Sequence, residues 1–165
     1  MEVQHHIIDC LEKTPGILKN LLSQISEDLY KVRRVDNKWC IHEQVCHLVE
    51  AQKILKERFR KFETKENPLI ESYNPPVNRV DNYYMNLDMK EELKKFPIIR
   101  SEMINLLRSY DSDYWELSGR HKCFHPYNTQ ILLTHSLNVD YAHLFSIEQL
   151  GLTKSECKEG IITIP

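Results

Sequence analysis

Apolar residues recur at three- and four-residue intervals through most of this chain, and only four glycines interrupt its 165 residues. That spacing gathers side chains on one stripe of an α-helix, whereas a strand needs strict alternation. Ile17, Leu18, Leu21, Leu22, Ile25 and Leu29 form one such stripe. Ile41, Val45, Leu48, Leu55, Phe59 and Phe62 form a second. So little glycine disfavours a turn-dense all-β fold. A chain of this length, 41% hydrophobic, suits one domain with a full core.

Prolines and capping residues divide the stripes. Residues 2–12 suit a short helix through Val3, Ile7, Ile8 and Leu11. Thr14-Pro15 reads as a second helix start, with Thr as N-cap and Pro at the first helical position, opening a helix over about 16–32. Asp36-Asn37-Lys38 is a turn. Cys40 and Glu43 occupy the positions of a capping box, with a thiol as the weak acceptor, at the head of a helix reaching about Phe62. Pro68, Pro75 and Pro76 mark a long loop over 63–84. Asp88 opens a third helical region, which Pro97 is expected to kink or split ahead of 98–109. A second loop covers 111–127. Asn128 caps a last helix over 129–150, and Gly151 ends it as the C′ residue.

The expected fold is all-α, a four-helix bundle with long crossover loops. Residues 1–152 form the bundle domain and residues 153–165 a C-terminal tail ending I-I-T-I-P. The short connection at 36–38 predicts an antiparallel first pair of helices.

Net charge is −2 and Lys31-Val32-Arg33-Arg34 is the nearest approach to a basic patch, which argues against nucleic acid as a partner. No apolar run approaches membrane-spanning length. Five cysteines without a C-x-x-C motif, and a polar start without an apolar leader, suit a reduced cytoplasmic setting.

The chemistry-bearing residues are histidines. His47 shares a helix face with Glu43, Gln44, Glu50, Ala51 and Ile54. On the last helix His143 lies on a mostly apolar face, where it needs a hydrogen-bond partner, a metal or a pocket. A bland reading, in which each histidine is a core or cleft residue bonded to a carboxylate or carbonyl, stands beside a metal reading. In the latter, Asp140 with His143, and Glu50 with His47, repeat the carboxylate and imidazole spacing of bundle metal sites. His135 and His143 are separated by roughly 12 Å of helix, too far to share one ion. His5, His6 and His42 are expected at the surface, and Cys46 in the packing. His121, Cys123 and His125 cluster in a loop with no third residue to orient them as a nucleophile.

Lys38-Trp39-Cys40-Ile41, Glu43 and His47-Leu48 together resemble the K-W-S-hydrophobic-x-E-x-x-x-H-L pattern of the DinB-like (YfiT-like) superfamily. Thr14-Pro15, Asn67-Pro68-Leu69-Ile70, His125-Pro126-Tyr127 and the last helix with Leu133, His135, Asp140 and His143 extend the resemblance up to Gly151. The resemblance implies a four-helix bundle holding a divalent metal (Zn, Ni, Mn or Fe) between the second and last helices. Three histidines usually hold it in such proteins. His47 matches one and His143 another, but the third falls at Val139, which cannot ligate. The implied metal set is therefore His47, His143 and Asp140 as substitute, with Glu50 as another recruit, unless the site has decayed. Cys40 departs from the family's Ser cap.

The resemblance further implies a metal-dependent enzyme of the thiol transferase or hydrolase type, a small-molecule substrate such as a low-molecular-weight thiol, and a homodimer. The alternative is a degenerate, non-catalytic relative that binds a small ligand or serves as a dimerising module.

Overall fold

The computed structural model describes residues 2–72 and 82–164. Pro75 and Pro76 of the expected middle loop lie outside the described residues. Four long helices dominate: α1 (Glu2–Ser23), α2 (Ile41–Thr64), α3 (Met89–Ser109) and α4 (Thr129–Leu152). The chain is an all-α four-helix bundle, as its periodicity predicts. Three short strands decorate one end: β1 (Leu69–Ile70), β2 (Ser118–His121) and β3 (Tyr127–Asn128), with β2 parallel to β1 and antiparallel to β3. The strands fall in the two regions expected to be loops.

α2 packs against α3 and α4, and so does α1. α1 and α2 are therefore not the neighbouring pair that a short turn at 36–38 predicts. Residues 24–40 form the connection instead. They include a 3-10 turn at Glu27–Leu29 and carry the chain across the end of the bundle.

The expected break before Gly16 does not occur. α1 runs straight through Pro15, so Thr14 is a helix-interior residue and not an N-cap. A proline at 15 leaves the Leu11 carbonyl without its usual i+4 amide donor. Here Arg100 Nη1 donates to that carbonyl at 2.7 Å, and Thr14 Oγ1 lies 2.9 Å from it. A tertiary donor, Arg100, replaces the missing helical one, which is why the helix continues. α3 likewise continues through Pro97, without a split.

Caps explain two of the other boundaries. Asp88 accepts from Lys90 and Glu91 amides at the start of α3, and Asn128 accepts from the Ile131 amide at the start of α4. At α2 the Glu43 carboxylate accepts from the Cys40 amide at 3.0 Å, so the capping box survives with a thiol in it. Gly151 is not a C′ cap. It lies inside α4 without positive φ, and a Cβ there would collide with the Ile25 side chain. The position needs glycine for close approach.

The interior has two apolar clusters. One gathers Leu18, Leu22, Val45, Leu48, Phe96 and Ile147; the other gathers Leu11, Leu55, Phe59, Met103, Leu132 and Leu133. Each fully buried side chain of this size contributes roughly 1.5–3 kcal/mol by leaving water. Between the clusters every helix contributes one buried polar residue: Thr14, Gln52, Arg100 and Asp140. Arg100 Nη2 meets Asp140 Oδ2 at 2.7 Å and donates to Gln52 Oε1 at 2.6 Å. Gln52 Nε2 donates to Asp140 Oδ1 at 3.0 Å, and Thr14 Oγ1 lies 2.6 Å from Asp140 Oδ2. The layer ties all four helices together through one buried ion pair.

Residues after α4 fold back over the bundle. A 3-10 turn at Ser155–Gly160 leads to Ile161, which packs on the first apolar cluster, and Ile162, which is exposed. Arg34 binds the carbonyls of Leu150 and Thr153 at 2.6 and 2.7 Å, satisfying the end of α4. Among the described residues no helix is long and apolar enough to cross a membrane.

Candidate functional site

His47 projects from α2 and His143 from α4, and their rings meet with centroids 4.6 Å apart. Both are buried. Helical spacing puts His47 at the edge of the α2 stripe and His143 on a mostly apolar face of α4, and the packing of α2 on α4 brings the two together. Trp39, in the segment leading into α2, covers them from one side. Its ring centroid lies 4.7 Å from His47 and 6.4 Å from His143, nearly parallel to the latter.

Each imidazole is oriented by a polar partner. Tyr84 Oη lies 3.0 Å from His47 Nδ1. Gln44 Oε1 lies 2.6 Å from His143 Nδ1. The Gln44 amide is itself fixed, because its Nε2 donates to the Ile164 carbonyl at 3.2 Å. Its oxygen therefore faces His143 as an acceptor. Nδ1 of His143 then carries the hydrogen, and Nε2 is left with a lone pair.

Burial lowers the pKa of both imidazoles: His47 falls to about 4 and His143, pressed further by His47, to about 3. At neutral pH the pair is uncharged. It presents hydrogen-bonding nitrogens and not cations.

The pair forms part of the wall of a cavity of about 250 Å³ between α2 and α4. Val139 lines the same cavity, one helical turn before His143. His135 lines it too, so the two histidines that are too distant to share an ion still share a pocket. Ala51, Ile54 and Leu55 make much of the remaining wall apolar.

Asp140 is not brought to the imidazoles. Its carboxylate is fully buried in the Arg100, Thr14 and Gln52 layer. Burial raises its pKa while Arg100 pulls it back down. Glu50 is only partly buried, its Oε2 has no hydrogen-bond partner among the described residues, and its charge raises the Tyr83 phenol pKa. Among the described residues no set of three or more His, Cys, Asp or Glu is placed to hold a metal ion.

His42, expected at the surface, is buried; its Nε2 lies 3.1 and 3.0 Å from the Tyr84 and Leu87 carbonyls. The segment before α3 folds over the start of α2 and covers it. Cys46 is packed in the core, as expected, and its thiol is pushed up to about 12 by burial. Cys123 is exposed, with Ser72 Oγ 3.6 Å away. Tyr84 and Gln44 were not singled out as site residues in the sequence. Gln44 carried a signal, being three residues from His47 on one face; Tyr84, in a loop, carried none.

The backbone is similar to that of YfiT from Bacillus subtilis, which is described as a probable metal-dependent hydrolase with an unusual four-helix bundle topology. The likeness has a TM-score of 0.77 at 20% identity and covers 91% of this chain and 86% of that one. No functionally curated protein matches. The model of the DinB superfamily matches residues 11–151, from the middle of α1 to the end of α4. The chain belongs to the DinB superfamily.

Proposed function

We propose that the chain is a small-molecule-binding protein whose site is the cavity between α2 and α4, with the neutral imidazoles of His47 and His143 as its polar anchor. One observation carries this reading: the two rings meet at the cavity wall, and the third neighbouring position is Val139. A cavity of this size and lining, mostly apolar with a few convergent polar groups, suits a small organic ligand.

The residues present do not fit the metal that the superfamily implies. A divalent ion at such a site takes three protein ligands and an open position. Here a methyl-bearing side chain stands at the third place, and the carboxylate of Asp140 is committed to Arg100. Withdrawing Asp140 to serve as a ligand would leave a buried guanidinium without its anion, a cost of several kcal/mol.

A second reading keeps a metal-dependent enzyme of the hydrolase or thiol transferase type, with His47, His143 and a recruited carboxylate (Asp140 or Glu50) as ligands. The Gln44 bond favours it, because it holds His143 in the tautomer that a metal ligand requires. The likeness to a protein described as a probable metal-dependent hydrolase favours it as well.

Metal analysis and thermal-shift screening separate the two. The first reading expects stabilisation by small organic molecules that His47→Ala abolishes. It also expects no stabilisation of the native chain by Zn, Ni, Mn or Fe, and clear stabilisation by zinc once Val139→His completes the set. Near-stoichiometric metal on the untagged native chain, lost in His47→Ala, would overturn the first reading and establish the second.

A further inference from the structure

The cavity has two chemically different ends. His47 and His143 occupy one. At the other stand Arg58 from α2, His135 from α4 and His121 from β2. Eleven residues of α2 separate His47 from Arg58, and eight of α4 separate His143 from His135. The two ends are thus roughly 12–16 Å apart along the helices.

The second end is built for charge. Arg58 is 8% exposed, and its Nη2 donates to the Glu71 carbonyl at 2.7 Å, which fixes the guanidinium at the wall. Phe124 bridges the two imidazoles, with ring centroids 4.8 Å from His121 and 5.8 Å from His135. Glu71, whose carbonyl holds Arg58, is exposed and outside the described lining, and its carboxylate works against burial by raising the His121 pKa. Both rings feel the Arg58 cation, which adds to burial in holding their pKa values down.

We infer that the cavity takes a small amphipathic carboxylate, its charged head at Arg58, His121 and His135 and its apolar body running past Ile54 and Leu55 towards the imidazole pair. This inference rests on the cavity being a small-molecule site and names the class of molecule. Arginine matches a carboxylate by its planar fork, and a charge-assisted bond in a low-dielectric wall is stronger than a neutral one. The apolar middle selects against an ion with no hydrocarbon body.

Titrations of the full chain with hexanoate, hexan-1-ol and inorganic phosphate, followed by amide and imidazole NMR shifts, test it. Hexanoate is expected to bind about tenfold more tightly than hexan-1-ol, the gain of one charge-assisted bond. It should move both His135 and His143 signals. Arg58→Gln removes the preference without weakening hexan-1-ol binding, and Arg58→Lys retains part of it. Should Arg58→Gln fail to fold, His121→Asn, a polar exchange at the half-buried last residue of β2, is expected to reduce the preference by itself. Hexanoate binding no better than hexan-1-ol, or phosphate binding as tightly as hexanoate, would overturn the inference while leaving the small-molecule site standing. If none of the three probes moves the cavity signals, the small-molecule reading falls with it.

Discussion

Arg100 is the residue on which the interior turns. It is 1% exposed, yet it reaches Leu11, Thr14, Gln52 and Asp140. Removing one partner of a buried ion pair leaves the other charge uncompensated, so Arg100→Met should cost about 3–5 kcal/mol in urea unfolding. Adding Asp140→Leu should recover part of that loss; a single variant within 1 kcal/mol of the native chain would show that the layer carries little weight. The imidazole pair predicts a pH dependence. Both folded-state pKa values lie below the unfolded value near 6.5, at about 4 and about 3. The unfolded chain therefore binds more protons between pH 4 and 6.5, and stability falls as pH drops through that window. Each histidine contributes a slope of up to about 1.4 kcal/mol per pH unit. Metal-free protein should lose denaturation midpoint from pH 7 to pH 5, and His143→Gln should flatten the curve. His47 and His143 were legible because helical spacing put one at the edge of an apolar stripe and the other on a mostly apolar face, where an imidazole needs a partner. Asp140 was not. Three residues before His143 means a rotation of about 60° round the helix axis, enough to face the centre of the bundle, and the deciding partner sits on another helix.

At the scale of the element, local rules were read correctly where the deciding contact was local. Asp88, Asn128 and the Glu43 back-bond all cap as their positions predict. They failed where a distant group intervened. Thr14-Pro15 carries a strong start signal, but Arg100 supplies the donor that makes the proline harmless. Pro15→Ala should then change stability by less than about 1 kcal/mol, against the ~3 kcal/mol relief expected at an ordinary helix-interior proline. Chemical denaturation of the variant decides this; a gain above 2 kcal/mol would mean that the Leu11 carbonyl is poorly served by Arg100. Gly151 follows the same logic, its lack of a Cβ answering to Ile25 and not to a helix cap. The start of α2 is buried on nearly every side because the turn at Tyr84–Asn86 covers it, which no periodicity within α2 could announce.

For the whole molecule, the fold class follows from four stripes and few glycines, whereas the order of helices round the bundle does not. A pattern of apolar positions states which face is buried, not which neighbour buries it. The folding back of residues 161–164 was equally silent in sequence, since I-I-T-I-P reads as an apolar end that suits a partner chain as well as its own bundle. In the structure the Ile164 amide donates to Ser146 Oγ at 3.1 Å, and the Ile164 carbonyl accepts from Gln44. A chain lacking residues 161–164 should fold, yet the slowly exchanging imidazole N–H of His143 should disappear from the proton spectrum. Its persistence would mean that Gln44 needs no outside hold. A main-chain oxygen beyond the bundle thereby governs which face of a distant ring is acidic and which is basic. Anything that peels that final segment away would rewrite the cavity's hydrogen-bonding grammar without touching a single residue that lines it.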